Sequence, residues 1–346
     1  MDMIRVPYED LEELSHEMLK VAGVPHNIAS SVVEALLFAS VRGVDSHGIR
    51  LLPHYLRELK AGRINPKPKM QFTQTAPATG IVDADHTFGP TATVFAMDKA
   101  IHMAGECGVA AVSVKNSTHF GPAGYYAELA AKKDCIGFAM THADSLMKSH
   151  NGTRAYFGTN PIAFSAPLEG EGPLCLDMAT SRVNWNKVRQ MRERGERLPD
   201  GWAADKEGKE TDDPHEARAL LPAGEYKGFG LSMMVEVLCG VLSGMPFGRN
   251  IVDMYTEPIS RKRFLGHFVC VIDVSKFGDT NEFKKRMTEM VREVRSEPAL
   301  DSKKPVVVSG DPEKKIKNDR MKTGIPFTKS EWEAFCAAGK ELDVHL

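Results

Sequence analysis

The segment that most restricts the fold of this chain is Lys227-Gly228-Phe229-Gly230, which opens an apolar helical run extending to about residue 244. The first turn of a helix carries unpaired N–H groups and the positive end of the helix dipole, and glycine lets an anion approach the backbone. Lys227 adds a positive charge, so the segment is a candidate seat for a dinucleotide pyrophosphate. However, Met233 stands where a Rossmann fingerprint has its third glycine, and Gly224-Glu225-Tyr226 reads as a turn where that fingerprint requires a strand. The pattern argues against an ordinary Rossmann fold, and close packing of small residues against a neighbouring element is the alternative interpretation.

The charge and cysteine content exclude several classes of protein. The 346 residues carry a formal net charge of −2, and acidic residues are interspersed in the basic stretches, which argues against a nucleic-acid-binding surface. The longest apolar run, residues 231–245, is interrupted by Glu236 and is too short to span a membrane, and no secretory signal is evident at the start. The six cysteines are scattered without a C-x-x-C pair, which indicates neither a disulfide framework nor a zinc site. We therefore expect a cytoplasmic protein that binds neither membrane nor nucleic acid.

The hydrophobic periodicity changes near residue 70. Helical spacing runs through Tyr8–Val21, Pro25–Arg42 and Leu51–Leu59, ahead of a turn-rich linker at residues 62–68. Beyond the linker, helical stretches near 91–107, 122–133, 227–244 and 281–297 alternate with short apolar runs typical of buried strands, namely Val109–Val114, Ile136–Thr141, Leu174–Met178, Phe268–Val274 and Pro305–Val308. Residues 187–219 resemble a polar surface excursion, and the tail after residue 311 is charged, then helical from Lys329 to Ala338. The sequence predicts an α/β fold with a helical domain at residues 1–70, joined by residues 311–346, and an α/β cofactor-binding domain at residues 71–310.

A histidine lies where the N-terminal helical pattern breaks. In Asp45-Ser46-His47-Gly48, His47 can face a cleft and exchange a proton near neutral pH, with Ser46 orienting it or bonding a substrate oxygen. Arg50 and Tyr55 follow in the same segment, so a carboxylate clamp beside His47 is geometrically feasible. In the alternative interpretation, Ser46 caps the next helix and His47 is an ordinary surface residue.

A second histidine, His119, follows the predicted strand Val109–Val114, and ligands of α/β proteins bind at such strand ends. His119 is therefore the other acid/base candidate, with a histidine satisfied by loop backbone as the alternative. Asn160 either brings its amide to a substrate or initiates a turn with Pro161. The sequence contains neither the G-x-S-x-G motif of serine hydrolases nor H-E-x-x-H, and we predict no metal site.

Taken together, these segments resemble the malate/L-lactate dehydrogenase-like oxidoreductases, a family outside the Rossmann class, with the nearest likeness to ureidoglycolate dehydrogenases. The shared motifs follow the family's order between about residues 5 and 325: Ser46-His47-Gly48, His119-Phe120-Gly121, Gly158-Thr159-Asn160-Pro161, Asp177-Met178-Ala179-Thr180-Ser181, Lys227-Gly228-Phe229-Gly230 and Ser309-Gly310-Asp311. The resemblance implies a mixed β-sheet flanked by helices, a homodimer, and NAD or NADP as cofactor, with NAD favoured. It also implies proton transfer by His119 or His47. The implied cofactor contacts come from Asp177, Met178, Ala179, Lys227, Gly228, Ser309, Gly310 and Asp311, with Ala143 at a position near the cofactor.

One departure from the family concerns the substrate. The family commonly has an arginine three residues after the glycine of Ser46-His47-Gly48, where this chain has Leu51, so Arg50 is the candidate that replaces it. The predicted function is NAD(P)-dependent hydride transfer at C2 of a small 2-hydroxy or 2-oxo acid of the malate, lactate, ureidoglycolate or sulfolactate kind, with His119 favoured over His47 as acid/base. Reduction of cyclic imine 2-carboxylates is the enzymatic alternative, because the same clamp and acid serve a C=N bond. A cofactor-binding protein without turnover is the non-enzymatic alternative.

Overall fold

A computed structural model of the protein describes residues 3–255 and 258–344. The α-helices of these residues are α1 (Tyr8–Val21), α2 (His26–Val41), α3 (Leu52–Lys60), α4 (Gly89–Cys107), α5 (Ala123–Ala131), α6 (Trp185–Arg194), α7 (Tyr226–Glu236), α8 (Thr280–Ser296), α9 (Asp311–Thr323) and α10 (Lys329–Lys340). The strands are β1 (Ile4–Val6), β2 (Gln71–Ala76), β3 (Thr79–Asp83), β4 (Val109–Ser117), β5 (Cys135–Thr141), β6 (Met147–Lys148), β7 (Ala155–Phe157), β8 (Ile162–Ala166), β9 (Leu174–Met178), β10 (Ala203–Ala204), β11 (Glu210–Thr211), β12 (Ala219–Leu220), β13 (Leu265–Asp273) and β14 (Ile325–Phe327). Two short 3-10 helices, Asp45–His47 and Ile49–Leu51, lie between α2 and α3, and a π-helical segment, Val237–Val241, continues α7.

The large sheet confirms the predicted α/β fold with a mixed sheet. Its seven strands run in the order β2-β3-β4-β13-β5-β8-β9, and each neighbouring pair is antiparallel except β3 with β4. A sheet with one parallel pair differs from the parallel sheet of Rossmann enzymes. Helices α4 and α5 pack on it through a buried cluster that includes Met97, Val112, Tyr126 and Val269.

A separate hydrophobic core unites the two ends of the chain. Leu19 and Leu36 of the N-terminal helices pack in it with Phe327 and Phe335, and β1 pairs with β14 so that Ile4 lies opposite Phe327. These contacts place the N-terminal and C-terminal helices in one helical layer. The boundary of the two domains near residue 70 stays a prediction, and residues 1–2 and 345–346 of the predicted helical domain lie outside the described residues.

Three local predictions are corrected by the structure. Residues 305–308 form no strand, because no neighbouring strand pairs with the valines there. A high β-propensity leads to a strand only where a partner strand is present. The charged stretch after residue 310 forms α9, whose start is shaped by Gly310 in a left-handed conformation with φ 95°. Within residues 187–219, Val188 and Leu198 are buried beside a small five-stranded sheet in the order β11-β10-β12-β6-β7, so this segment has a core of its own.

None of the described helices combines the length and the apolar character needed to cross a membrane. All six cysteines are unpaired, and Cys135 and Cys239 are buried.

Candidate active site

A cavity of about 520 Å³ opens between the helical layer and the large sheet. It is bordered by the end of α2, the start of α5, strand β9, the loop at residues 305–310 and the start of α9. This volume lies within the usual range of cofactor sites, about 300–1,000 Å³. The predicted site residues that line it are Ser46, His47, Asp177, Ala179, Ser309 and Gly310.

The two predicted histidines lie side by side at this cavity. His47 lines it, and the ring of His119 stacks on the ring of His47 with centroids 5.6 Å apart and planes at 28°. Ser46 Oγ lies 2.9 Å from His47 Nδ1, and Tyr55 Oη lies 2.7 Å from His119 Nδ1. The Tyr55 hydroxyl also lies 3.4 Å from the carbonyl oxygen of His119, to which it can donate its single proton. In that arrangement Nδ1–H of His119 donates to Tyr55, and Nε2 keeps an unshared electron pair.

Burial lowers the pKa of both histidines. The pKa of His47 falls from 6.5 to about 4 because its charged form is poorly solvated there. The pKa of His119 falls well below 6.5, first through burial and then through the neighbouring His47 and Arg263. Both rings are therefore neutral at pH 7, and a neutral imidazole is ready to accept a proton.

Arg50, the predicted carboxylate clamp, is engaged by other protein groups. Its Nη1 lies 3.1 Å from Glu331 and 3.7 Å from Asp45, and its Nη2 donates to the carbonyl oxygen of Pro326. Leu51, where the family commonly has arginine, is buried in the helical core. The proposed substrate contact of Arg50 stays a prediction, and the contacts in this structure tie it to the C-terminal segment.

Asn160 is fully buried and fixes three segments to one another. Its Oδ1 accepts a hydrogen bond from the Ala143 N–H at 3.1 Å, and its Nδ2 donates to Glu236 Oε2 at 2.7 Å and to the Ser232 carbonyl oxygen at 3.1 Å. Three of its hydrogen-bonding positions are thus used within the protein. Its predicted contact with substrate stays untested, while Ala143 is held at a defined place by this amide.

Asp177 is the second-last residue of strand β9 and lies on the cavity wall. Its Oδ2 accepts a hydrogen bond from the Gly124 N–H, at the start of α5, at 2.8 Å. Desolvation of its carboxylate by the surrounding protein raises the pKa of Asp177 to about 6, and the negative charges of Glu313 and Glu128 raise it further. The side chain is nevertheless exposed to solvent on the cavity side. Met178 and Ala179 follow it and are partly exposed.

The turn Ser309-Gly310-Asp311 forms another part of the wall. A side chain at Gly310 would place its Cβ 3.2 Å from the Cys175 carbonyl oxygen, so this turn approaches β9 closely. Asp311 pairs with Arg295 at 2.6 Å and accepts from the Val308 N–H at 3.0 Å. Its carboxylate therefore fixes the turn, whose Ser309 and Gly310 face the cavity.

Lys227 and Gly228 lie outside the cavity lining. Lys227 is exposed on the first turn of α7. A Cβ at Gly228 would lie 2.3 Å from the Ala223 carbonyl oxygen and 2.7 Å from that of Thr180. Gly228 therefore packs closely against a neighbouring segment, as the alternative interpretation of this motif proposed. The first turn of α7 thus rests on the segment that carries Ala179, beside the cavity.

The sequence interpretation missed several charged residues of the cavity. Arg42 pairs with Glu128 at 2.9 Å and Lys314 with Glu171 at 3.1 Å, so both lining cations are neutralised by carboxylates. Glu313 also lines the cavity and has no ion pair or hydrogen bond among the described residues. A sequence signal existed for one of them, because Glu128 is a lone carboxylate in the otherwise apolar stretch 122–131.

The volume of the cavity and the helix starts that border it suit a dinucleotide. The N-terminal ends of α5 and α9 both border it, and helix N-termini favour phosphate groups. Phe38, Pro161 and Val307 add apolar wall against which planar rings can pack. In the described part of the chain, no group of three or more His, Cys, Asp or Glu side chains is arranged to hold a metal ion.

Comparison with known proteins finds relatives along nearly the whole chain. A family model described as malate/L-lactate dehydrogenase matches residues 6–336. A ureidoglycolate dehydrogenase (NAD(+)) of Escherichia coli (strain K12) is 37% identical over 293 residues, which cover 85% of this chain and 84% of that protein. The crystal structure of malate dehydrogenase from Entamoeba histolytica has a TM-score of 0.94 at 30% identity, covering 100% of this chain and 99% of that one. The structure of delta1-piperideine-2-carboxylate reductase from Pseudomonas syringae pvar. tomato has a TM-score of 0.86 at 29% identity, covering 97% and 99%.

Proposed function

The chain belongs to the malate/L-lactate dehydrogenase family, and on that premise we propose that it exchanges hydride between NAD and C2 of a small 2-hydroxy acid. Its reaction class is that of an NAD(P)-dependent 2-hydroxyacid dehydrogenase. The observation that carries the proposal is the stacked pair His47 and His119 beside a cavity of cofactor size. Six unpaired cysteines support a cytoplasmic setting for it.

The histidine pair divides the work of proton transfer and orientation. His119 Nε2 accepts the proton of the substrate hydroxyl during oxidation, while Tyr55 holds the ring through Nδ1. His47, aligned by Ser46, orients the substrate or shares the proton path. When bound, the nicotinamide ring supplies the hydride chemistry.

The charges of the cavity support NAD over NADP. The lining contains the cations Arg42 and Lys314 but also the carboxylates Glu128, Asp177 and Glu313. Both cations already have carboxylate partners, whereas Glu313 has none among the described ion pairs. The 2′-phosphate of NADP would add negative charge near these carboxylates, and repulsion between like charges would weaken its binding.

A panel assay tests the proposed function. Purified protein is mixed with a set of 2-hydroxy acids and NAD or NADP, and with 2-oxo acids and the reduced cofactors, while the absorbance of the reduced nicotinamide is followed. We expect turnover of at least one acid, with higher kcat/KM for NAD. Tight cofactor binding without turnover of any acid would favour the non-enzymatic alternative.

Cyclic imine reduction is a second candidate, favoured by the likeness to the delta1-piperideine-2-carboxylate reductase. The same pocket could hold a ring carboxylate, and the same histidine would then protonate the imine nitrogen. Including a cyclic imine 2-carboxylate in the panel separates the two candidates.

The lowered pKa of His119 predicts the pH dependence. In the oxidation direction the base must be neutral, and a pKa below 6.5 keeps it neutral until the pH falls through that lowered value. We therefore expect kcat/KM for the hydroxy acid to stay flat between about pH 8 and 6.5 and to fall only at lower pH. If kcat/KM has already fallen to half of its plateau at pH 6.5 or above, His119 is not the base.

We further propose that the protein is a homodimer. Helix α7 and the segment that follows leave apolar side chains in solvent, including Tyr226 at 62%, Val241 at 56% and Leu242 at 58% exposure. A contiguous apolar surface of this kind favours association. Light scattering at assay concentration should give twice the 38.1 kDa of one chain.

A charged substitution tests the dimer surface. Val241→Glu should shift the protein towards the monomer, whereas Leu300→Glu, at a fully exposed position in the loop between α8 and α9, should leave the mass unchanged. A wild-type monomer with full activity would refute the proposed dimer.

A further inference from the structure

The turn that carries His47 is held from the C-terminal end of the chain. Arg320 of α9 donates from Nη1 to Asp45 Oδ1 at 2.6 Å and from Nη2 to Asp45 Oδ2 at 2.9 Å, and Nη1 also donates to the Ser40 carbonyl oxygen at 2.5 Å. Asp45 is the first residue of the 3-10 helix Asp45–His47. We propose that Arg320 is a positioning residue, which acts through Asp45 to fix His47 for the reaction. The inference rests on the proposed function.

The geometry of the ion pair suits this role. Two parallel N–H···O bonds between a guanidinium and a carboxylate set orientation as well as distance. The side chains of Arg320 and Asp45 are 12% and 22% exposed, so solvent screens the pair less than a surface ion pair. The carboxylate of Asp45 is thereby fixed two residues before His47.

The other side of the turn packs directly against α2. The Ile49 N–H donates to Ser40 Oγ at 2.8 Å. A Cβ at Gly48 would lie 2.3 Å from the same Ser40 oxygen, which shows how closely the turn lies on α2. Arg320 binds both Ser40 and Asp45, and it therefore closes the turn against α2.

Helix α9 connects this turn with the cavity. Its start is anchored by the pair Arg295–Asp311, next to the cavity residues Ser309 and Gly310. Its thirteen residues span about 20 Å, and Ile316 lies against Gly43, where an added Cβ would be 3.0 Å from Ile316 Cδ1. A single rigid element thus holds both a wall of the cofactor cavity and the His47 turn.

The experiment compares variants on the two sides of the ion pair. Arg320→Ala and Asp45→Asn each remove it, and Arg320→Lys keeps the charge without the two-pronged geometry. The matched control is Arg5→Ala, because Arg5 contacts the same end of α9 through Thr323 and the Gly324 carbonyl oxygen and does not touch the turn. Each variant is measured for kcat/KM of the hydroxy acid, for cofactor affinity by calorimetry, and for the His47 ring signals by NMR of protein with labelled histidine.

We expect Arg320→Ala to lower kcat/KM by about 10- to 100-fold, the loss typical of a misplaced catalytic group. Cofactor affinity and melting temperature should match those of Arg5→Ala, and Arg320→Lys should restore part of the loss. The His47 ring signals should shift or split in Arg320→Ala and stay unchanged in Arg5→Ala. The double variant Asp45→Asn/Arg320→Ala should lose about as much as the worse single variant, because the Arg320–Asp45 pair that both substitutions remove is the same one.

The inference is overturned if Arg320→Ala leaves the His47 signals unchanged and kcat/KM within about twofold of the wild type. It is also overturned if the losses of the two single variants multiply in the double variant. If Arg320→Ala does not fold, Asp45→Asn and Arg320→Lys decide it by the same readings. A wild type inactive with every acid would refute the proposed function, while the NMR comparison would still decide whether Arg320 positions His47.

Discussion

Replacing His119 by asparagine is expected to lower kcat by about 10²- to 10⁴-fold, the usual contribution of a general acid–base group. The ring is positioned by Tyr55 at 2.7 Å and stacked on His47, and its lowered pKa leaves Nε2 ready to accept a proton. Asparagine is polar and of similar length but cannot take up that proton. Steady-state kinetics with a saturating cofactor measure the loss.

Two further variants make the His119 result specific. His102→Asn changes an exposed histidine on α4, and its kcat should equal that of the wild type. His47→Asn should raise KM at least as much as it lowers kcat, because His47 is assigned to orientation. If His47→Asn alone abolishes kcat and His119→Asn leaves it within about threefold, far less than such a group contributes, the two assignments must be exchanged.

Lys227→Ala is expected to weaken cofactor binding by about 1.5–3 kcal/mol, the range for a hydrogen bond to a charged group. Lys227 lies on the first turn of α7, where the helix dipole adds to its charge, and Gly228 presses that turn against the Thr180 backbone beside the cavity. In the structure the lysine is exposed and free to move toward a bound anion. Calorimetry with NAD measures the change.

The matched control for Lys227 is Lys329→Ala. Lys329 is also an exposed lysine in the first turn of a helix, α10, and it is not among the residues that line the cavity. Its removal should leave the NAD affinity as it is. Equal affinities for Lys227→Ala and the wild type, with both folded, would remove Lys227 from the cofactor site.

The sequence predicted those parts of the fold that local pattern determines. Strand β9 lies at Leu174–Met178, as its apolar run indicated, and α1 spans the predicted Tyr8–Val21. Residues 305–308 have the composition of a strand but no partner, and pairing partners are fixed by the whole fold rather than by local sequence. Helix α9 was not predicted because its many charged residues leave no apolar periodicity to recognise.

The residues of the candidate site could be predicted where they belong to a sequence motif, but contacts between segments distant in sequence could not. Ser46, His47, His119 and Tyr55 were each named as candidates from the sequence, and in the structure they lie together, with Tyr55 bonded to His119. Their roles toward a substrate stay predictions. The pairing of Asp45 with Arg320 joins residues 275 positions apart, and no spacing rule connects them. Arg50 was predicted as a clamp from its neighbourhood in sequence, and in the structure it contacts Asp45 nearby and Glu331 and Pro326 of the C-terminal segment.

Hydride transfer from C2 of a 2-hydroxy acid to a nicotinamide can be followed with a deuterium label. The best acid of the panel is prepared with deuterium at C2 and oxidised with unlabelled NAD, and the reduced cofactor is isolated and weighed by mass spectrometry. We expect a reduced cofactor that carries one deuterium on the nicotinamide ring, formed more slowly than with the unlabelled acid. Reduced cofactor without deuterium, or none formed from any acid of the panel, would contradict it.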